Sequence, residues 1–188
     1  MKMLAACILS LALVVSLAVA QSNVRGDWKS FKSTAGFSVE YPTSWFPKGI
    51  SRDRLTILSS GGGAGAIVIK RGQAMISVME ERRYTDSTLS RMIDRYTQDT
   101  NVLSRKSVHN ESAGAQGCRD LQEVISREGA VPPAGVPGAV PYIINTEYFC
   151  EISRRKYVTV LRNFEGDQKQ AAYQQVALRL AESLRAGE

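Results

Sequence analysis

The sequence predicts an α+β protein, an α/β/α sandwich with a central, mainly antiparallel sheet flanked by helices. Three observations carry that expectation. Short alternating or β-branched apolar runs recur along the chain, as in Phe37-Ser38-Val39-Glu40-Tyr41 and Tyr157–Phe164. Two other segments, Leu89–Tyr96 and Tyr173–Leu184, place their apolar residues at helical spacing. The helical segments follow runs of strands instead of alternating with single strands, which argues against a parallel, doubly wound sheet.

At the start of the chain, Met1-Lys2 precedes a nearly unbroken apolar run from Leu4 to Val19. Ala18-Val19-Ala20 then supplies a small-residue cleavage site. These features read as a signal peptide over residues 1–20, which makes the protein secreted or periplasmic. Residues 21–26 follow as a disordered leader, and residues 27–188 as a single domain. The cleavage site argues against a stable membrane span after processing. Cys7 follows Leu4-Ala5-Ala6 much as in a lipoprotein box, but no apolar region precedes it. It is expected to leave with the signal. The formal net charge of +6 is spread along the chain, not gathered in one tail. It permits contact with an anionic surface and does not call for nucleic acid.

Within the domain, Trp28 and Phe31 mark a first strand pairing with Phe37–Tyr41. Gly36 admits the turn between them, and Pro42, lacking an N–H, ends the second strand. Trp45-Phe46 follows as an apolar pair before Pro47 and Gly49 turn the chain. It reads either as core or as a stacking platform for a ligand. Leu55–Leu58, Ala66–Ile69 and Ala74–Met79 are further strand-like runs. The glycine stretch Gly61–Gly65 separates the first two, and Gly72 the second pair. The glycines formally match a dinucleotide fingerprint, but a β-branched run follows where the phosphates would need a helix N-terminus. They are expected to be a flexible connection.

Asp86-Ser87-Thr88 can cap the helix that carries Leu89, Met92, Ile93 and Tyr96, which is expected to end near Thr100. Val102–His109 reads as a strand, and Asn110-Glu111-Ser112 matches a glycosylation sequon. Two strands, Gln116–Ser126 and Tyr142–Ile152, flank a proline- and glycine-rich loop over residues 129–141. A hairpin centred on Ala134 places Cys118 directly opposite Cys150. In an exported chain that favours a disulfide. The loop is either a stiffened connection or a recognition segment offering Val131, Val136 and Val140. Arg154, Arg155 and Lys156 gather on the turn before Tyr157–Phe164. They are either simply solvated or a contact for an acidic partner. Asp167 can cap the last helix, whose stripe is Tyr173, Val176, Ala177, Leu180 and Leu184.

No catalytic constellation is legible. His109 is the single histidine, and no acidic residue is placed by sequence to orient it. No nucleophile elbow, zinc spacing or calcium loop occurs. Glu80 and Glu81 point to opposite faces if they lie on a strand. The chain is therefore expected to be no enzyme and to need no cofactor and no metal.

Gly36-Phe37-Ser38-Val39-Glu40-Tyr41-Pro42, with Trp45 beyond it, resembles the opening signature of PsbP-like proteins. These are relatives of the extrinsic lumenal subunit of photosystem II. The order of elements over roughly residues 28–186 fits the same family. The resemblance implies the α/β/α architecture and a non-catalytic role in docking to, or assembling, a membrane-bound complex. It also implies the calcium and manganese association of plant members, for which no residue set can be carried over here. The expected partner is a protein of the cell envelope. The alternative is a small apolar or anionic ligand held near Trp45 and Phe46, and the third is an enzyme of unrecognised type.

Overall fold

The structure is a computed structural model that describes residues 27–51, 53–60, 69–84, 87–98, 100–129 and 142–187. The expected signal peptide and leader, the glycine stretch and nearly all of the proline-rich loop lie outside the described residues.

The elements run β1 (Trp28–Ser33), β2 (Phe37–Pro42), β3 (Phe46–Ser51), β4 (Arg54–Leu58), β5 (Ala74–Glu81), α1 (Leu89–Tyr96), β6 (Asn101–His109), β7 (Asp120–Gly129), β8 (Tyr142–Ile152), β9 (Arg155–Phe164), α2 (Gln170–Glu182) and β10 (Arg185–Ala186). β1, β2 and β10 form a three-stranded sheet. The other seven strands form a second sheet in the order β3-β4-β5-β9-β8-β7-β6. Every pairing between named strands is antiparallel.

This corrects the expected α/β/α sandwich. Strands hold 54% of the described residues, and only two helices, of 8 and 13 residues, occur among them. The physical reason lies in what covers the sheet. The large apolar core packs α2 and the small sheet together against one face of the seven strands. It joins Phe37, Val39 and Ala186 to Ile57, Ile76, Tyr157, Leu161, Tyr173 and Leu180. A second sheet thus takes much of the area a helical layer would occupy. The other face receives only α1, over a small cluster of Met92, Ile93, Val124, Phe149 and Val158.

β1 and β2 pair from Trp28 with Pro42 to Ser33 with Phe37. Gly36 closes their turn at φ +87°, and a Cβ there would sit 2.9 Å from the Arg155 guanidinium. The positive φ is what requires glycine, since the flexible Arg155 tip can swing aside. The Gly187 amide donates to Gly36 O at 2.6 Å, which ties the end of the described chain to the same turn.

Four local expectations need correction. Pro47 and Gly49 do not turn the chain. They lie inside edge strand β3, where proline is tolerated, and the β3–β4 register shifts between them. Ile69 is not in a strand. α1 is capped by Thr88 but stops at Tyr96, short of Thr100. Asp167 does not cap α2. Its Oδ1 accepts from the Lys169 amide as a local turn, and the cap position, Lys169, makes no side-chain cap bond.

Cys118 and Cys150 form a disulfide with their Cα atoms 5.9 Å apart. The register that led to it was wrong. β7 begins at Asp120, after Cys118, and pairs Gln122 with Phe149, where a hairpin centred on Ala134 would pair Gln122 with Thr146. The bridge therefore ties the lead-in to β7, not a ladder position, onto β8.

Candidate functional site

Where β2 ends, the Trp45 amide donates to Pro42 O at 3.0 Å and turns the indole inward. The ring meets Tyr173 of α2 edge-on, with centroids 5.9 Å apart at 88°. The Tyr173 hydroxyl in turn donates to Gly72 O at 2.7 Å. Trp45 is thus a buried wedge between the sheet and α2, as a core residue would be. The next residue does the opposite. Phe46 opens the edge strand and stays 49% exposed, and Ile50 at its far end is 62% exposed.

Beside Trp45 lies an open recess of about 210 Å³, walled by Trp45, Tyr173, Ala172 and Val176 and edged by Ser59, Ser60 and Lys169. Both serine hydroxyls are engaged. Ser59 accepts from the Ala74 amide, and Ser60 from the Gln73 side chain. A second recess of about 300 Å³ shares Gly72 and Lys169 with the first and adds Arg71 and Phe164. The corner therefore offers apolar surface with a rim of mixed charge, Arg71 and Lys169 beside Glu165 and Asp167. Both serine oxygens accept bonds from within the fold, which fixes them at the edge of the recess.

The other expected site residues do not join it. Arg154 is exposed in the left-handed region at φ +68°. Arg155 lies 3.8 Å from Glu80 and donates to Ala35 O and Gly36 O, pinning the β1–β2 turn. Lys156 is buried in β9, opposite Glu81 and Glu151. Strand alternation sends the adjacent cations different ways, so they form no common patch.

Sequence reasoning missed one pair. The β6–β7 register sets Asp120 opposite His109, and Asp120 Oδ1 lies 2.8 Å from His109 Nδ1. The partner was hidden because antiparallel register, not spacing along the chain, brings it there. Both side chains are well exposed. Cys118 and Cys150 are bonded to each other, so no thiolate is available to the imidazole. The sequon also fails on geometry. Asn110 is buried, and its Nδ2 donates to Cys118 O at 3.0 Å and to Glu182 O at 3.2 Å, so the atom a glycan would need is spent in the fold.

Glu80 and Glu81 each hold an arginine of their own, Arg82 and Arg83. Burial pushes the Glu81 carboxyl up, but bonds from Arg83 more than offset this and hold it below the ordinary range. Glu147, on β8, has no such partner among the described residues, and burial pushes its carboxyl up to about 7. No group of three His, Cys, Asp or Glu among the described residues is placed to hold a metal, so they do not fit the calcium or manganese that the resemblance implied. No described helix is long and apolar enough to cross a membrane.

No family model matches the chain, and no curated protein matches it. Solved structures do. A Bacteroides thetaiotaomicron protein is 12% identical at a TM-score of 0.46, over 85% of this chain, which spans about half (48%) of that protein. The cyanobacterial PsbP, CyanoP, of Synechocystis is 8% identical at a TM-score of 0.39, over 90% of this chain and 98% of its own. Neither likeness is strong enough to bear on fold or function. The Saccharomyces cerevisiae Ran-binding protein Mog1p is 9% identical at a TM-score of 0.51, over 86% of this chain and 96% of its own. At that identity the likeness is one of fold alone, and the fold of this chain is shared with Mog1p.

Proposed function

We propose that this chain is an exported, non-catalytic protein-binding module of PsbP-like kind, and that it docks an envelope protein at the Trp45 corner. One observation carries the reading. Phe46 is exposed where edge strand β3 opens, directly after Trp45, which is rigidly packed on Tyr173 and walls an open apolar recess. A rigid aromatic wall next to an exposed apolar side chain suits a protein contact, because little side-chain entropy is lost on binding. Pro47 and the register shift blunt the strand edge, so the contact is through side chains and not by strand addition. Arg71 and Lys169 share the rim with Glu165 and Asp167, which favours a partner border of mixed charge. The Cys118–Cys150 bridge supports an oxidising compartment. That Mog1p, which shares the fold, is a Ran-binding protein is in keeping with a binding role.

The experiment is native mass spectrometry of the protein isolated from its own cell envelope, beside a Phe46→Ser/Ile50→Ser variant. Both residues are exposed, so the variant should fold. Wild type should carry a companion of protein mass that the variant loses. A companion retained by the variant would refute the corner as the docking surface. A small-molecule adduct held by both would shift the reading to a ligand carrier.

A further inference from the structure

Glu147 lies on the face of the seven-stranded sheet that α1 covers. On β8 it precedes by two residues Phe149, whose ring meets Tyr96 of α1 edge-on at 5.5 Å. In the ladder it sits between Val124 of β7 and Val160 of β9. It is 7% exposed and makes no hydrogen bond or ion pair with any described residue. Tyr96 lies close enough that burial and then the Glu147 charge both push its hydroxyl up.

The charged groups on the elements around it are already committed. From β9, Arg162 is bonded to Glu128 of β7 and donates to Asn145 of β8 at 3.2 Å. From β6, Arg105 pairs with Asp94 of α1 at 3.0 Å. On β5, Glu81 pairs with Arg83 at 3.0 Å. Lys156 of β9 stands opposite Glu81 and Glu151 in the ladder. On α1, Arg95 lies over the Tyr84 ring, and Arg91 is exposed. None of them compensates Glu147, whose shift has burial as its cause.

A buried carboxylate with no partner is costly only when ionised. The helix above it is short, and just two of its residues, Met92 and Ile93, are fully buried. Lifting so small an element is the least disruptive way to complete the hydration of the carboxylate, which is only slightly exposed. We infer that α1 is a pH-responsive latch, closed over Glu147 while that carboxyl is protonated and released when it ionises. Release uncovers the apolar side chains beneath α1, namely Val124, Phe149 and Val158. The latch lies on the α1 face, is independent of the Trp45 corner and does not rest on the docking reading.

The test is native-state hydrogen exchange of the full chain at pH 5 and pH 8, corrected for the intrinsic pH dependence of exchange. Protection of the α1 amides from Met92 to Thr97 should fall about 50- to 100-fold between the two. Protection of the β8 and β9 amides should change far less. In Glu147→Gln the α1 protection should be the same at both pH values. Equal α1 protection at pH 5 and pH 8 in the wild type would overturn the latch, whether or not the variant folds. So would a Gln variant that keeps the wild-type dependence, or a loss shared equally by β8 and β9.

Discussion

The two faces of the seven-stranded sheet are built on different terms. One is roofed by α2 and the small sheet over a continuous apolar core, and the Cys118–Cys150 bridge is buried within that core. The other carries a two-turn helix over a small cluster, with Asn145, Glu147 and Ser126 buried on that side of the strands. The first face holds the fold together. The second buries Glu147 without an ion-pair partner among the described residues, whereas Glu123, buried on the first, is paired with Lys106. Stability and responsiveness are thus divided between opposite sides of the same strands.

The largest expected effect tests the first face. Replacing both Cys118 and Cys150 by serine should lower unfolding stability by about 3–4 kcal/mol on a chain-entropy argument. Chemical denaturation of wild type and variant would measure it. A loss near zero would mean that the apolar roof holds this face without its staple. Next comes a matched pair of core truncations. Leu180→Ala on α2 should cost about 3 kcal/mol of global stability, because Leu180 is fully buried in the main core. Met92→Ala on α1 is an equally buried deletion, yet it should cost less globally. Its penalty is limited to the free energy with which α1 docks. If the two deletions cost the same, the faces are one cooperative unit and the comparison breaks.

Much of this contrast was hidden in the sequence for physical reasons. β2, β4, β5 and β9 were readable because apolar periodicity and turn residues agreed there. β8 was found with the right ends, but its face assignment was not, because all residues from Ile143 to Cys150 are buried. A strand covered on both faces shows no alternation, so Glu147 could not be told from a solvent-facing residue. Strand parity was the usable signal. It places Asn145, Glu147 and Phe149 on one side, a polar pair leading to an aromatic. β3 was missed because Pro47 and Gly49 read as breakers, which holds for a central strand and not for an edge. At the corner, the sequence found both Trp45 and Phe46 but could not show that one is buried and the other exposed. The turn that separates them is made by a backbone bond from Trp45 to Pro42.

Glu147 also sharpens the contrast through pH. Its carboxyl is raised from an ordinary 4.5 to about 7, so the folded state keeps a proton that the unfolded chain has released. Stability therefore falls as pH rises through that window and levels off above it. The full shift corresponds to about 3 kcal/mol, and the observed loss should be smaller, because release of α1 lets the carboxyl ionise without global unfolding. Denaturation midpoints across pH 4.5 to 8 would show it. Glu147→Gln should flatten the profile. A wild-type midpoint that rises over the same window would contradict the assignment of this carboxyl.

The smallest effect separates the two helices at their first turns. Thr88 Oγ1 accepts from the Arg91 amide at 3.3 Å, the cap of a helix too short to stand without tertiary help. Thr88→Ala should cost about 1 kcal/mol, felt as lost protection of α1 and little change in the strands. α2 begins at Lys169 with no side-chain cap and is held by Tyr173, Val176, Ala177 and Leu180 in the core. Lys169→Ala should therefore leave stability unchanged within measurement. If Thr88→Ala is equally silent, α1 is held by packing as α2 is, and its readiness to lift would have to come from Glu147 alone.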